Sequence, residues 1–174
     1  MRRGKRVMRV VKFVLAGLAV SIGLPAQDVD RGIELYEAKK YAEAESALRD
    51  VTNAEPDNAR AQQYLGLSLL RQNKLSEAEA PLKKAEELSP DSDEVKVGLG
   101  RVYLGQKKYE KAESVLQEAI EKKPENAYAH YYAGMAYNGM KRPDRMVERF
   151  ETFLKLAPDA PEAPKVRSLL RSVR

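Results

Sequence analysis

The sequence has 174 residues, the size of one ordinary domain, with 33% charged residues, 7% aromatics and a formal charge of +5. It has no cysteine, no tryptophan and one histidine, which excludes disulfides, thiolate metal sites, a cysteine nucleophile and any multi-histidine centre. The basic balance by itself invites nucleic acid or an anionic membrane as a partner.

The basic excess is local. Arg2, Arg3, Lys5, Arg6, Arg9 and Lys12 form a cationic start without an acid, followed by an apolar run from Phe13 to Leu24. That run has the length of a signal-peptide core and is short of the ~20 residues a membrane-spanning helix needs. Pro25-Ala26 ends it with a helix breaker and a small residue. Residues 1–26 are therefore expected to be an export signal cut after Ala26, with a cut after Ser21 as second choice and an uncleaved anchor as the alternative. No cysteine follows to carry a lipid, and Gly4-Lys5-Arg6 does not continue a twin-arginine pattern. Six of the 31 basic residues and none of the acids lie in this segment, so the remainder carries 25 basic against 26 acidic residues. Bulk charge no longer points to nucleic acid.

A period of 34 residues organises the rest. Glycines fall at Gly32, Gly66, Gly100 and Gly134, and prolines at Pro56, Pro90, Pro124 and Pro158. In the same register stand Ala44, Ala78, Ala112 and Met146, then Leu48, Leu82, Leu116 and Phe150, then Leu35, Leu69, Tyr103 and Tyr137. Each unit reads as two antiparallel helices. A helix-interior glycine costs about 1 kcal/mol relative to alanine, so its recurrence predicts close approach between the helices of a pair. The alanines are small for the same reason, and the large apolar column is expected to fill the space between pairs. Each proline closes a second helix, and Asn58, Ser92 and Asn126 are placed to cap the helix that follows. Ser76 and Glu79 have capping-box spacing. Pro143 suits the first turn of a helix. Beyond Pro158, Asp159-Ala160-Pro161 reads as a helix start, with Val166, Leu169, Leu170 and Val173 as one apolar stripe.

Leu65-Gly66 with Leu69, Leu99-Gly100 with Tyr103, and Ala133-Gly134 with Tyr137, closed by Pro90 and Pro124, resemble the tetratricopeptide repeat signature. The resemblance implies an all-α, right-handed superhelical solenoid. It would comprise four repeats over 27–160 (about 25–58, 59–92, 93–126 and 127–160) and a capping helix over 161–174. Arg31 before Gly32, and Met146 in the alanine column, depart from the pattern as terminal copies do.

In similar proteins the first helices line a concave face that binds a peptide or helix. Projection around the glycine column places Val29, Ile33, Tyr36 and Glu37 there from the first repeat. The second offers Arg60, Gln63, Leu67, Leu70 and Arg71. The third offers Glu94, Val97, Arg101 and Leu104, and the fourth Tyr128, Tyr131, Met135 and Asn138. Burial by neighbouring repeats is the alternative for Leu67, Leu70, Val97 and Leu104. Packing is expected of Tyr103, Tyr132 and Tyr137, and a groove-edge or surface place of His130. The clamp that grips chaperone C-termini is not expected, because Ile33 and Tyr64 stand where asparagines are needed. Tyrosine and arginine are frequent interface anchors, so the expected partner is a protein segment with apolar side chains and one or two acids. No phosphate loop, metal cluster or nucleophile elbow is present in the sequence. No catalysis, cofactor, metal or nucleic acid is expected, and a membrane only if the N-terminal segment stays uncleaved. Self-assembly is the second functional alternative.

Overall fold

The computed structural model describes residues 25–173, and among them every regular element is an α-helix. The four pairs are α1 (Pro25–Glu37) with α2 (Tyr41–Ala54), α3 (Ala59–Arg71) with α4 (Leu75–Leu88), α5 (Asp93–Gly105) with α6 (Tyr109–Lys122), and α7 (Ala127–Gly139) with α8 (Pro143–Leu156). A further helix, α9 (Ala163–Ser172), caps the stack. The expected export signal falls outside the described residues except for Pro25 and Ala26, which open α1. None of the described helices is long and apolar enough to cross a membrane.

The glycine column has the expected cause. A Cβ on Gly66 or Gly100 would stand 2.5 Å from Leu82 Cγ or Leu116 Cγ, and one on Gly134 would stand 2.5 Å from the Phe150 ring. The large apolar column therefore packs first against the glycine of its own pair, not between pairs as the spacing suggested. Leu82 also reaches onward to Gly98 of the next repeat, so one side chain serves both contacts. Ala44, Ala78 and Ala112 are fully buried beside these leucines.

Helix ends follow local chemistry. The side chains of Asn58, Ser92 and Asn126 accept from the backbone N–H of Ala61, Val95 and Ala129. The Ser76–Glu79 capping box is not formed. Lys74 is the N-cap of α4, Ser76 lies inside the helix, and Glu79 instead accepts from Gln106 Nε2 at 2.7 Å and pairs with Lys83 at 2.7 Å. The last helix starts at Ala163 with Pro164 in its first turn, later than Asp159-Ala160-Pro161 suggested.

His130 is buried, contrary to a surface or groove-edge place, and it belongs to a periodic polar column with Gln62 and Lys96. Gln62 Nε2 donates to the Pro56 carbonyl at 2.9 Å, and His130 Nε2 stands 2.8 Å from the Pro124 carbonyl. A carbonyl only accepts, so Nε2 of His130 carries the proton. In these two repeats the first helix thus ties down the proline turn that precedes it. Lys96 instead pairs with Glu118 at 2.6 Å and Glu86 at 3.4 Å.

Successive repeats are joined by polar contacts as well as by core. Glu45 of α2 accepts from Gln72 Nε2 and Lys74 Nζ of the next repeat, each at 2.7 Å. Partial burial pushes the Glu45 carboxyl up, but hydrogen bonds from Lys74, Gln72 and Arg49 outweigh it and hold the group below its ordinary range. Gln106 to Glu79 repeats this contact one unit on, and Tyr137 Oη to Glu113 at 2.8 Å replaces it after that.

Candidate binding groove

The first helices approach one another closely in series, α1 with α3, α3 with α5 and α5 with α7, whereas the backbones of the described second helices stay apart and meet through long side chains such as Arg49–Glu77 and Arg149–Gln117. Close spacing on one side and splaying on the other curve the stack, and the first helices line its concave face.

A cleft of about 320 Å³ opens on that face. Tyr36 of α1, Leu67 and Arg71 of α3, Glu94, Val97 and Arg101 of α5, and Tyr128 of α7 line it, so the fold brings together seven of the residues projected from sequence. Arg71 Nε donates to Tyr36 Oη at 3.3 Å, a bond that raises the guanidinium's proton affinity. The Arg101 guanidinium lies over the Tyr132 ring, 5.5 Å from its centroid. Tyr36 meets Tyr64 edge-on at 5.4 Å, and Tyr128 and Tyr132 lie 6.2 Å apart. The Arg101–Tyr132 stack divides this cleft from a second hollow of about 430 Å³ that takes Leu104, Tyr131, Met135 and Asn138.

The charges of the cleft are unbalanced at close range. Several cations elsewhere on the repeats are paired, as in Arg49–Glu77 at 2.8 Å, Lys84–Asp57 at 2.8 Å and Lys74–Glu45 at 2.7 Å. Among the described residues no carboxylate lies within ion-pair distance of Arg71 or Arg101. Glu94 and Glu162 also line the cleft, and Glu162 accepts from Tyr128 Oη at 3.1 Å. Burial pushes the phenol of Tyr132 above its ordinary range, while nearby Arg101 opposes the shift.

Six projected residues line neither hollow. Val29, Ile33 and Leu70 are core, at 3%, 7% and 3% exposure, because they lie on the side of the first helices that turns inward. Glu37 is exposed at the end of α1. Arg60 is exposed in the first turn of α3 and pairs with Asp30 at 3.3 Å, so the projected cluster of three arginines reduces to two. Gln63 is half-buried and lines neither cavity. Tyr131 is mostly core against Phe150 and Phe153, with only its edge in the second hollow.

Four residues of the cleft were absent from the projection: Gly98, Asn126, Tyr132 and Glu162. Tyr132, expected from the sequence to pack, is only half-buried and borders both hollows. Its signal was present in the column Asp30, Tyr64, Gly98 and Tyr132, which steps by 34 residues on the concave side. Glu162 carried the same kind of signal, since it stands one period after Tyr128 in the column Arg60, Glu94, Tyr128 and Glu162, although it lies past the last repeat.

Three family profiles, each described as tetratricopeptide repeat, match residues 29–93, 69–136 and 128–160. No curated protein matches the sequence. Among solved structures the chain is similar to MamA, at 24% identity over 85% of this chain and 81% of that one, with a TM-score of 0.73. It is also similar to TTC0263, a thermophilic TPR protein of Thermus thermophilus, at 20% identity over 86% and 81% of the two chains, with a TM-score of 0.68. A third likeness is to YrrB, described as a TPR protein with an unusual peptide-binding site, at 21% identity over 83% and 74%, with a TM-score of 0.72. At these identities the likenesses show a shared fold.

Proposed function

The chain belongs to the tetratricopeptide repeat family, and from that premise we propose that it is an exported, non-catalytic scaffold holding a segment of a partner protein in its concave groove. The observation that carries the proposal is the pair Arg71 and Arg101, set among tyrosines on the concave face without a carboxylate at ion-pair distance among the described residues. Two partly desolvated guanidiniums beside aromatic rings suit an acidic side chain flanked by apolar ones. The description of YrrB as peptide-binding supports the same reading by likeness of fold.

In this reading residues 1–26 direct export and are cleaved, residues 27–160 carry the repeats, and the product works in the periplasm or outside the cell. It takes part there in envelope assembly or secretion. An uncleaved N-terminal segment would make it a membrane-anchored assembly factor, and self-assembly would make it a structural subunit. The reading includes no catalytic step, cofactor or nucleic acid.

The test is a pull-down from an envelope fraction with wild type, Arg71→Glu/Arg101→Glu and Arg60→Glu. The double variant is expected to lose partners that both wild type and Arg60→Glu retain. If all three proteins retain the same partners, the groove is not the binding site.

A further inference from the structure

The column Asp30, Tyr64, Gly98 and Tyr132 contains a gap. Tyr132 shows where a ring at this position lies, since it meets Arg101, a residue of the preceding repeat. The residue corresponding to Arg101 one unit earlier is Leu67. A Cβ on Gly98 would stand 3.5 Å from Leu67 Cδ2 and 3.2 Å from a Leu82 methyl carbon, so a side chain there would start out over Leu67 in the same way. Repeat three thus has the place for a ring and no ring. The empty volume is the 320 Å³ cleft, which both Gly98 and Leu67 line. Tyr64 does not line it, and its ring is packed edge-on against Tyr36.

Gly98 differs from the glycines of the main column. Those face leucine or phenylalanine carbons at 2.5–2.6 Å, which no Cβ tolerates, whereas its nearest neighbours are the methyl ends of Leu82 at 3.2 and 3.3 Å. A helix-interior glycine costs about 1 kcal/mol, and here the approach is tight without being prohibitive, since a Cβ needs the Leu82 methyls to give by a few tenths of an ångström. What it does is keep a socket open between Leu67 and Tyr132, with Arg71 and Arg101 beside it. Glu94 lies in the first turn of α5, seven residues before Arg101, or about 10 Å along the helix axis. An acid on a bound segment is therefore attracted to the arginine side and repelled by the rim that Glu94 and Glu162 share.

We infer that the groove reads one aromatic side chain of an extended partner segment, seated over Gly98 and Leu67, with an acidic residue beside it held by Arg71 and Arg101. The inference rests on the concave groove being the partner site. A bound ring meets Tyr132 in offset or edge-on contact, and the carboxylate receives charge-assisted hydrogen bonds from the guanidiniums.

Panning a phage-displayed random dodecapeptide library against the full chain is expected to enrich an aromatic residue next to Asp or Glu. Gly98→Tyr supplies the ring that repeats two and four already carry. It should weaken binding of the selected peptides by about tenfold or more, as loss of a central anchor does, with helical content unchanged and unfolding still cooperative. Gly98→Ala adds only a methyl group and should weaken binding less. Arg71→Gln/Arg101→Gln should remove the acid preference and keep the aromatic one. Peptides that depend on both arginines but lack an aromatic residue, or that bind Gly98→Tyr as well as wild type, overturn the socket and leave the groove standing. A selection that enriches nothing, or only peptides indifferent to Arg71→Glu/Arg101→Glu, overturns both.

Discussion

At the scale of single residues, the buried column Gln62, Lys96 and His130 shows three chemistries in one place. Glutamine donates to a proline carbonyl without a charge, lysine is admitted only with two glutamates, and histidine is held neutral. Burial, opposed by the hydrogen bond to Pro124, keeps the His130 pKa below its ordinary 6.5. A group with a depressed folded pKa binds its proton more readily when unfolded. The stability it contributes is complete above about pH 6.5 and falls as pH drops below that. Thermal melts are therefore expected to lose stability as pH is lowered from about 7.5 to about 5.5, the range that brackets histidine titration. His130→Gln, which installs the side chain that already makes this bond at position 62, is expected to flatten that dependence. An unchanged slope in His130→Gln would mean the proton is taken up elsewhere. The glycine column gives a second test. Gly100→Ala drives a methyl group into Leu116 and is expected to cost about 1–3 kcal/mol in urea denaturation, despite alanine's better helix propensity. A loss under about 0.5 kcal/mol would show that α5 and α6 can separate without penalty.

At the scale of elements, the turns within pairs hold a feature that polarity alone did not reveal. Lys39, Asn73, Lys107 and Lys141 all adopt positive φ, between 57° and 60°. In each turn the next residue donates its N–H five residues back, as in Lys74 to Leu69 and Lys108 to Tyr103, which is the Schellman closure of a helix. An L-residue in this conformation costs roughly 1–2 kcal/mol, and glycine avoids most of it. Lys107→Gly is thus expected to raise stability by about 0.5–1 kcal/mol, read as a rise in the urea midpoint at constant slope. The second-helix ends use the opposite device. Glu55, Ser89, Lys123 and Ala157 are pushed to φ values between −130° and −142° ahead of their prolines. The caps at Asn58, Ser92 and Asn126 were legible because they follow those prolines at fixed spacing. The failed Ser76–Glu79 box was not, because the Schellman turn had already placed the helix start ahead of Ser76.

At the scale of the whole molecule, repetition creates an end problem, which α9 solves. Val166 and Leu170 of α9 join Phe150 and Phe153 of α8 in the second core cluster, while Lys165, Arg167 and Arg171 stay exposed. A polar outer face on a terminal element keeps a solenoid from presenting an apolar edge. Val166→Asp buries a charge where Val166 is fully shielded and is expected to cost about 3 kcal/mol or more. It should also make the protein associate on light scattering as the Phe150–Phe153 surface is exposed. A stable monodisperse variant would show that the cap is dispensable.

The sequence alone determined the architecture, because a period of 34 residues fixes which side chains must meet in every copy. Glycine opposite leucine, asparagine after proline and alanine beside both are local requirements, repeated until chance is excluded. It also placed six basic residues and no acid in the first 26, leaving a nearly neutral remainder that turns attention from bulk charge to placed charge. Only the tertiary structure decided which arginines share a cleft. Helical projection distinguishes the two sides of a helix, but the curvature that gathers Arg71 and Arg101 and leaves Arg60 with Asp30 depends on how four helices stack. Glu162 meets Tyr128 one period on, across the boundary between the last repeat and the cap, and the socket over Gly98 lies between Leu67 of the preceding repeat and Tyr132 of the next. Those contacts join residues of different structural units, and packing between the units, which no single repeat encodes, brings them together.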